Sequence, residues 1–165
     1  MNEVEPNIVL DNEDVARLVC PEWIEDGILL DAAFALAPKE TYLSVMRPII
    51  PTYHEDANNF IKKHKHFSID GKTYSRAMLN VNKIRNIKIV SDGDEELNID
   101  VVVEPRNAQT KSHAGIIVKT NEEYIVRGRG ILNKSIPVGI SADDILQEIQ
   151  FKLNGIAKLE RCVMT

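Results

Sequence analysis

The stretch from Leu97 to Val118 constrains the fold of this chain more than any other. Leu97, Ile99, Val101 and Val103 alternate with Asn98, Asp100, Val102 and Glu104, the period of a strand with one buried face. Pro105 closes that run, and a polar loop leads from Arg106 to Ser112. A second apolar run then opens at His113 and ends at Val118. Two such runs across a short loop predict an antiparallel pair. Lys119-Thr-Asn-Glu122, followed by Tyr124-Ile-Val126, extends the pair into a meander.

The remaining segments are read around that sheet. Ile8-Val-Leu10 is an edge strand or part of a loose N-terminal segment over 1–10. Asp11-Asn-Glu-Asp14 before Val15-Ala-Arg-Leu-Val19 predicts a capped short helix that stops at Pro21. Tyr42-Leu-Ser-Val-Met46 alternates as a strand and ends at Arg47-Pro48. Thr52-Tyr-His-Glu55 has the form of a capping box. Ala57, Phe60, Ile61 and His64 then share one helical face, so a helix is expected from about Tyr53 to Lys65. Tyr74 to Val81 fits a strand or a helical stripe, and the Asp70-Gly71 turn before it decides for the strand. Ile87-Lys-Ile-Val90 is a further short strand. Ala142, Ile145, Leu146, Ile149, Leu153 and Ile156 trace a final helix of roughly four turns, with Lys158 and Arg161 near its end. The expectation is a single α+β domain over 1–165. It would be a mainly antiparallel sheet of about four to six strands with two main helices packed on it.

Charge is distributed unevenly. Residues 1–61 carry 3 basic and 12 acidic side chains, whereas 62–88 carry eight basic ones against Asp70 alone. A basic centre between acidic flanks is either neutralised within the fold or offered to a polyanion. Lys62, Lys63, Lys65 and Arg76, with Phe67 and Tyr74 as stacking platforms, are the candidate nucleic-acid residues. The acidic overall balance of −5 opposes that use. No apolar run approaches the roughly 18 residues of a membrane helix, so no membrane partner is expected. The acidic start, Met1-Asn-Glu-Val-Glu-Pro6, is unlike a secretory leader, which predicts a cytoplasmic protein. Cys20 and Cys162 fit that compartment as free thiols.

Candidate chemistry gathers at the loop before His113. His113 is the candidate catalytic base, with Ser112, Arg106, Asn107 and Arg47 as binding groups for an oxyanion or phosphate. Ser112 is a poor nucleophile for it, because adjacent residues of a strand point to opposite faces. The bland alternative is a histidine at a strand start, bonded to backbone, with Gly115 admitting a close neighbour. His54, His64 and His66 lack the spacing of a metal site, so no metal is expected. Arg127 with Gly128-Arg-Gly130 lacks the strand and helix of a phosphate loop, so no cofactor is expected either.

Arg17-Leu-Val-Cys-Pro-Glu-Trp23, Asp26-Gly27, Ala33-Phe34, Leu43-Ser-Val45 and Ser112-His-Ala114 occur in an order that resembles a bacterial family of uncharacterised proteins. The match covers the first third and the loop at His113. It departs in having Lys111-Ser112 where that family commonly has a proline. The resemblance implies a small bacterial cytoplasmic protein, an accessory member of an operon, and supplies no catalytic residues. With no acid–base pair, nucleophile set, metal cage or cofactor loop evident, the expected function is a non-enzymatic interaction or accessory protein. It would contact another protein or itself through the loop 105–113 and its last helix. A small enzyme or phosphate binder centred on His113 and a nucleic-acid binder through 62–88 are the alternatives.

Overall fold

A computed structural model describes residues 7–35, 42–90, 96–103, 110–120, 123–125 and 142–164. The strands are β1 (Asp14–Val19), β2 (Ile24–Glu25), β3 (Ile28–Leu29), β4 (Leu43–Met46), β5 (Thr73–Asn80), β6 (Lys88–Val90), β7 (Glu96–Val103), β8 (His113–Thr120), β9 (Glu123–Ile125) and β10 (Lys158–Val163). The helices are α1 (Tyr53–Lys63), α2 (Val81–Arg85) and α3 (Ala142–Ile156). One sheet runs β10-β5-β1-β4-β8-β7-β6, with β9 beside the far end of β8. A separate ribbon is formed by β2 and β3. Every pairing is antiparallel.

The expected four to six strands with two helices packed on them is therefore corrected. Among the described residues the fold is mostly antiparallel sheet, curled into a half-barrel, with three short helices. Two strands account for most of the difference. Val15–Val19 is not a helix but the middle of β1, paired with β5 along its whole length from Asp14↔Asn80 to Val19↔Ser75. Val15, Ala16, Leu18 and Val19 are all buried, because this strand is covered on both faces. A strand buried on both sides has no alternation to betray it. Lys158 and Arg161, expected near a helix end, lie instead in β10, which forms the edge beyond β5.

The two faces have different cores. On the α3 side, Val15, Val19, Leu43, Val45, Ala77, Leu79, Ile99, Val101, Ala114, Ile116 and Val118 pack with Ile149 and Leu153 of α3. On the α1 side, Ala16, Leu18, Met46 and Tyr74 pack with Tyr53, Ala57 and Ile61 of α1 and with Phe67. Each large apolar side chain so buried contributes about 1.5–3 kcal/mol against conformational entropy. The expected strands over 74–81, 87–90, 97–104 and 113–118, and the meander to β9, are present as β5 to β9.

Local details differ from the sequence reading. Ile8-Val-Leu10 pairs with no described strand and is held by side chains, Ile8 O and Val9 O accepting from Arg47 and Arg85. Thr52 does not close a capping box. Its Oγ1 donates to Asp56 Oδ2 at 3.0 Å, and its backbone (ψ 0°) lacks the extended form a cap requires. The Asp70-Gly71 turn is present, with Gly71 at φ +79° and Asp70 Oδ1 accepting from Lys72 N and Thr73 N.

Candidate functional site

His113 opens β8 on the α1 side of the sheet. The β4–β8 register sets Met46 opposite His113 and Ser44 opposite Gly115, so Ser44 and His113 are diagonal neighbours on one face. Ser44 Oγ and His113 Nε2 share a hydrogen bond. Both residues are half-buried. They border a cavity of about 60 Å³ whose apolar lining includes Leu18, Met46, Phe60 and Phe67. That volume holds a water or two, or a group the size of an acetyl. The ring of Tyr42 lies on Gly115, as close contact with a glycine there allows.

Ser112 is fully buried and turns to α1, where its Oγ donates to Asp56 Oδ2 at 2.6 Å and its amide reaches the same oxygen. Thr52 donates to that carboxylate as well. Arg47 is fully buried and grips Glu13 through two parallel bonds, Nε to Oε1 and Nη2 to Oε2, each 2.8 Å. Its Nη2 also donates to Ile8 O, and its amide to Ser112 O. The guanidinium therefore faces a carboxylate of its own chain. Arg106 and Asn107 lie outside the described residues, as does Gly128-Arg-Gly130. Ser44, which sequence reasoning missed, becomes visible only once β4 and β8 are known to be neighbours in this register.

The basic segment is divided. Lys62, Lys63 and Lys65 are exposed at the end of α1. Arg76 lies on β5 under α1, paired with Glu160 of β10 at 2.9 Å and donating to Tyr53 Oη at 2.8 Å. Phe67 and Tyr74 are buried, so neither offers a ring to a base. The Tyr74 phenol lies in hydrogen-bonding reach of Tyr53 and Cys162, and burial raises its pKa. Burial likewise raises the Cys20 and Cys162 thiols, which are both free. Cys162 pairs with Tyr74 across β10–β5, while Cys20 follows Val19 on the other side of β5. A strand thus separates the two thiols, farther than a disulfide spans. His64 and His66 rest on Phe60 and Phe67. Among the described residues no group of His, Cys, Asp or Glu is arranged to hold a metal ion.

The other notable surface is the edge formed by β10. Met164 N donates to Lys72 O at 2.8 Å, extending the β10–β5 ladder one residue past Val163↔Thr73. Residues of an antiparallel strand bond alternately to either side. Lys158, Glu160 and Cys162 therefore bond inward to β5, and Leu159, Arg161 and Val163 direct their N–H and C=O groups outward. No described strand pairs with them there. Two open grooves border this edge. One, of about 430 Å³, is lined by Pro21, Ile24, Ile69, Leu159 and Arg161. The other, of about 330 Å³, has Lys62, Lys65 and Asp70 as well as Ile61, Ile69 and Met164 in its lining. Ile69 belongs to both. β10 is hidden in the sequence because Lys158 and Arg161 suit the end of the preceding helix, and the β-branched Val163 is the signal for a strand.

No protein-family model, curated protein or solved structure matches this chain. No helix among the described residues is long and apolar enough to cross a membrane.

Proposed function

We infer that this chain is a non-enzymatic interaction domain, an accessory protein of a bacterial cytoplasmic system that works through protein–protein contacts. The observation that carries this is the outward-bonding edge of β10, bordered by two grooves of mixed apolar and charged lining, with Val163 71% exposed. Native sheets usually blunt or cover such an edge, and one that no described strand covers, with grooves beside it, favours a partner. The polar groups that would otherwise carry chemistry favour the same reading. Arg47 is engaged by Glu13 and Ser112 by Asp56. A photo-crosslinking side chain placed at Val163, Phe151 or Ile28, all exposed, is expected to join another protein in the native host; one at Glu55 serves as the control. If all three outer positions give no protein adduct, the chain is not an interaction domain.

One observation favours a second reading, a small enzyme centred on His113. In the Ser44–His113 pair the serine Oγ would attack an ester carbonyl as its proton passes to Nε2. The ester C–O bond would break with the leaving oxygen departing with or without that proton, and water would then hydrolyse the acyl-serine to acid and free Ser44. The cavity of about 60 Å³ limits such a substrate to a short acyl group. Hydrolysis of p-nitrophenyl acetate that disappears in both Ser44→Ala and His113→Ala, with unchanged melting temperatures, would establish it. A rate equal to buffer in the intact protein would remove it.

A further inference from the structure

We propose that the β10 edge takes up an extended acidic segment of another protein as an additional strand. This rests on the interaction reading above and names the partner's chemistry. Three features define the occupant. The first is backbone: the N–H and C=O groups of Leu159, Arg161 and Val163 face away from β5, which calls for a strand rather than a helix. The second is spacing. The grooves lie on opposite faces of the sheet, Leu159 belonging to the α3-side core and Met164 to the α1-side core, while Ile69, common to both, pairs with Thr73 on the side of β5 away from β10. A strand added beside β10 sends successive side chains alternately to the two faces, so apolar side chains can enter both grooves.

The third is charge. Lys62 and Lys65 line one groove and Arg161 the other, all exposed, and Lys72 and Lys158 stand at the ends of the edge. Two carboxylates share these linings, Asp70 beside the lysines and Glu160 beside Arg161, and the cations outnumber them. Glu160 is bound to Arg76, and Asp70 accepts from Lys72 N, Thr73 N and Thr73 Oγ1. Those hydrogen bonds, with Arg161 nearby, hold the Asp70 carboxyl below its ordinary pKa and so ionised. A second copy paired β10 to β10 would bring the same cations to the edge and be repelled, whereas glutamates or aspartates would be drawn in.

The test uses the full chain and a fluorescein-labelled nine-residue peptide alternating valine with glutamate. The controls are a valine/lysine peptide and a single-stranded DNA oligonucleotide of nine nucleotides. The acidic peptide is expected to raise anisotropy on titration and to slow amide exchange at Leu159, Arg161 and Val163. Arg161→Glu should weaken the acidic peptide at least tenfold and admit the lysine peptide. Val163→Pro removes an outward donor while sparing the β5 ladder, and should abolish binding without lowering the melting temperature by more than a few degrees. Equal binding of both peptides, protection confined to other amides, preferential binding of the oligonucleotide, or concentration-dependent self-association through β10 would each overturn the proposal. Crosslinks to protein from Phe151 or Ile28 alongside such a result would leave the interaction reading standing and sink only the strand-addition step.

Discussion

Arg47 and Glu13 form a fully desolvated, two-pronged ion pair that joins the end of β4 to the segment entering β1. Glu13 also accepts from Leu10 N, and Arg47 also donates to Ile8 O, so the pair holds residues 8–13 that no described strand holds. Removing one partner takes its buried counter-charge from the other, at a cost of about 3–5 kcal/mol. Glu13→Gln and Arg47→Met are each expected to lower the urea midpoint accordingly. The double variant Glu13→Leu with Arg47→Met should recover part of the loss, since its charges are gone but its backbone bonds are not replaced. A single variant as stable as the parent would show that the pair is dispensable.

A second expectation concerns pH. Burial raises the thiols of Cys20 and Cys162 from the ordinary value of 9.0, and the Tyr74 phenol from 10.0. The native state therefore holds these protons more tightly than the unfolded chain. That advantage is complete below the unfolded pKa values and is lost as pH rises through the native ones. Stability should accordingly fall as pH rises above about 8, measured as urea midpoints, and the fall should shrink in the variant carrying Cys20→Ala and Cys162→Ala. A profile flat across this range would contradict the burial assigned to all three groups.

Much of the sheet was legible because β5 and β7 keep one face in the core and the other half-exposed, so their residues alternate. β1 was not legible. Its neighbours β5 and β4 lie about 60 and 30 residues away in sequence, and helix and strand fit its short apolar run equally well. The acidic residues before it resembled a cap, but Glu13 serves Arg47 instead. At the candidate site the sequence named His113 and could not name Ser44, because only the β4–β8 register makes them neighbours. Arg47 followed the same logic in reverse: a cation with the chemistry of an anion site, whose carboxylate lies 34 residues earlier.

A third expectation follows from the fork of Arg76. Its Nε and Nη2 face Glu160 on the edge strand, and its Nη1 donates to Tyr53 on α1. One planar group thus joins β5, β10 and the helix above them. A lysine has a single ammonium and cannot reproduce those separate directions. Arg76→Ala and Arg76→Lys are both expected to destabilise by about 1–3 kcal/mol. The exchange of β10 amides should rise more than that of β7. Full rescue by lysine would reduce the contact to simple charge.

The last expectation tests the packing beside His113. At Gly115 an added Cβ would stand 2.8 Å from Tyr42 Cδ2, 2.9 Å from its Cγ and 3.0 Å from its Cβ. These atoms lie near the root of the tyrosine side chain, so rotating its far end brings no relief. Either Tyr42 or the β4–β8 pairing must move, and overpacking of this kind costs about 1–3 kcal/mol. Gly115→Ala is expected to lose that much, and Gly115→Ala with Tyr42→Ala should lose less than the two single changes added together. Strict additivity would mean that Tyr42 does not rest on Gly115 in solution. If the alanine variant also perturbs the His113 ring resonances while His54 stays unchanged, the strain is carried along β8 to the Ser44–His113 pair.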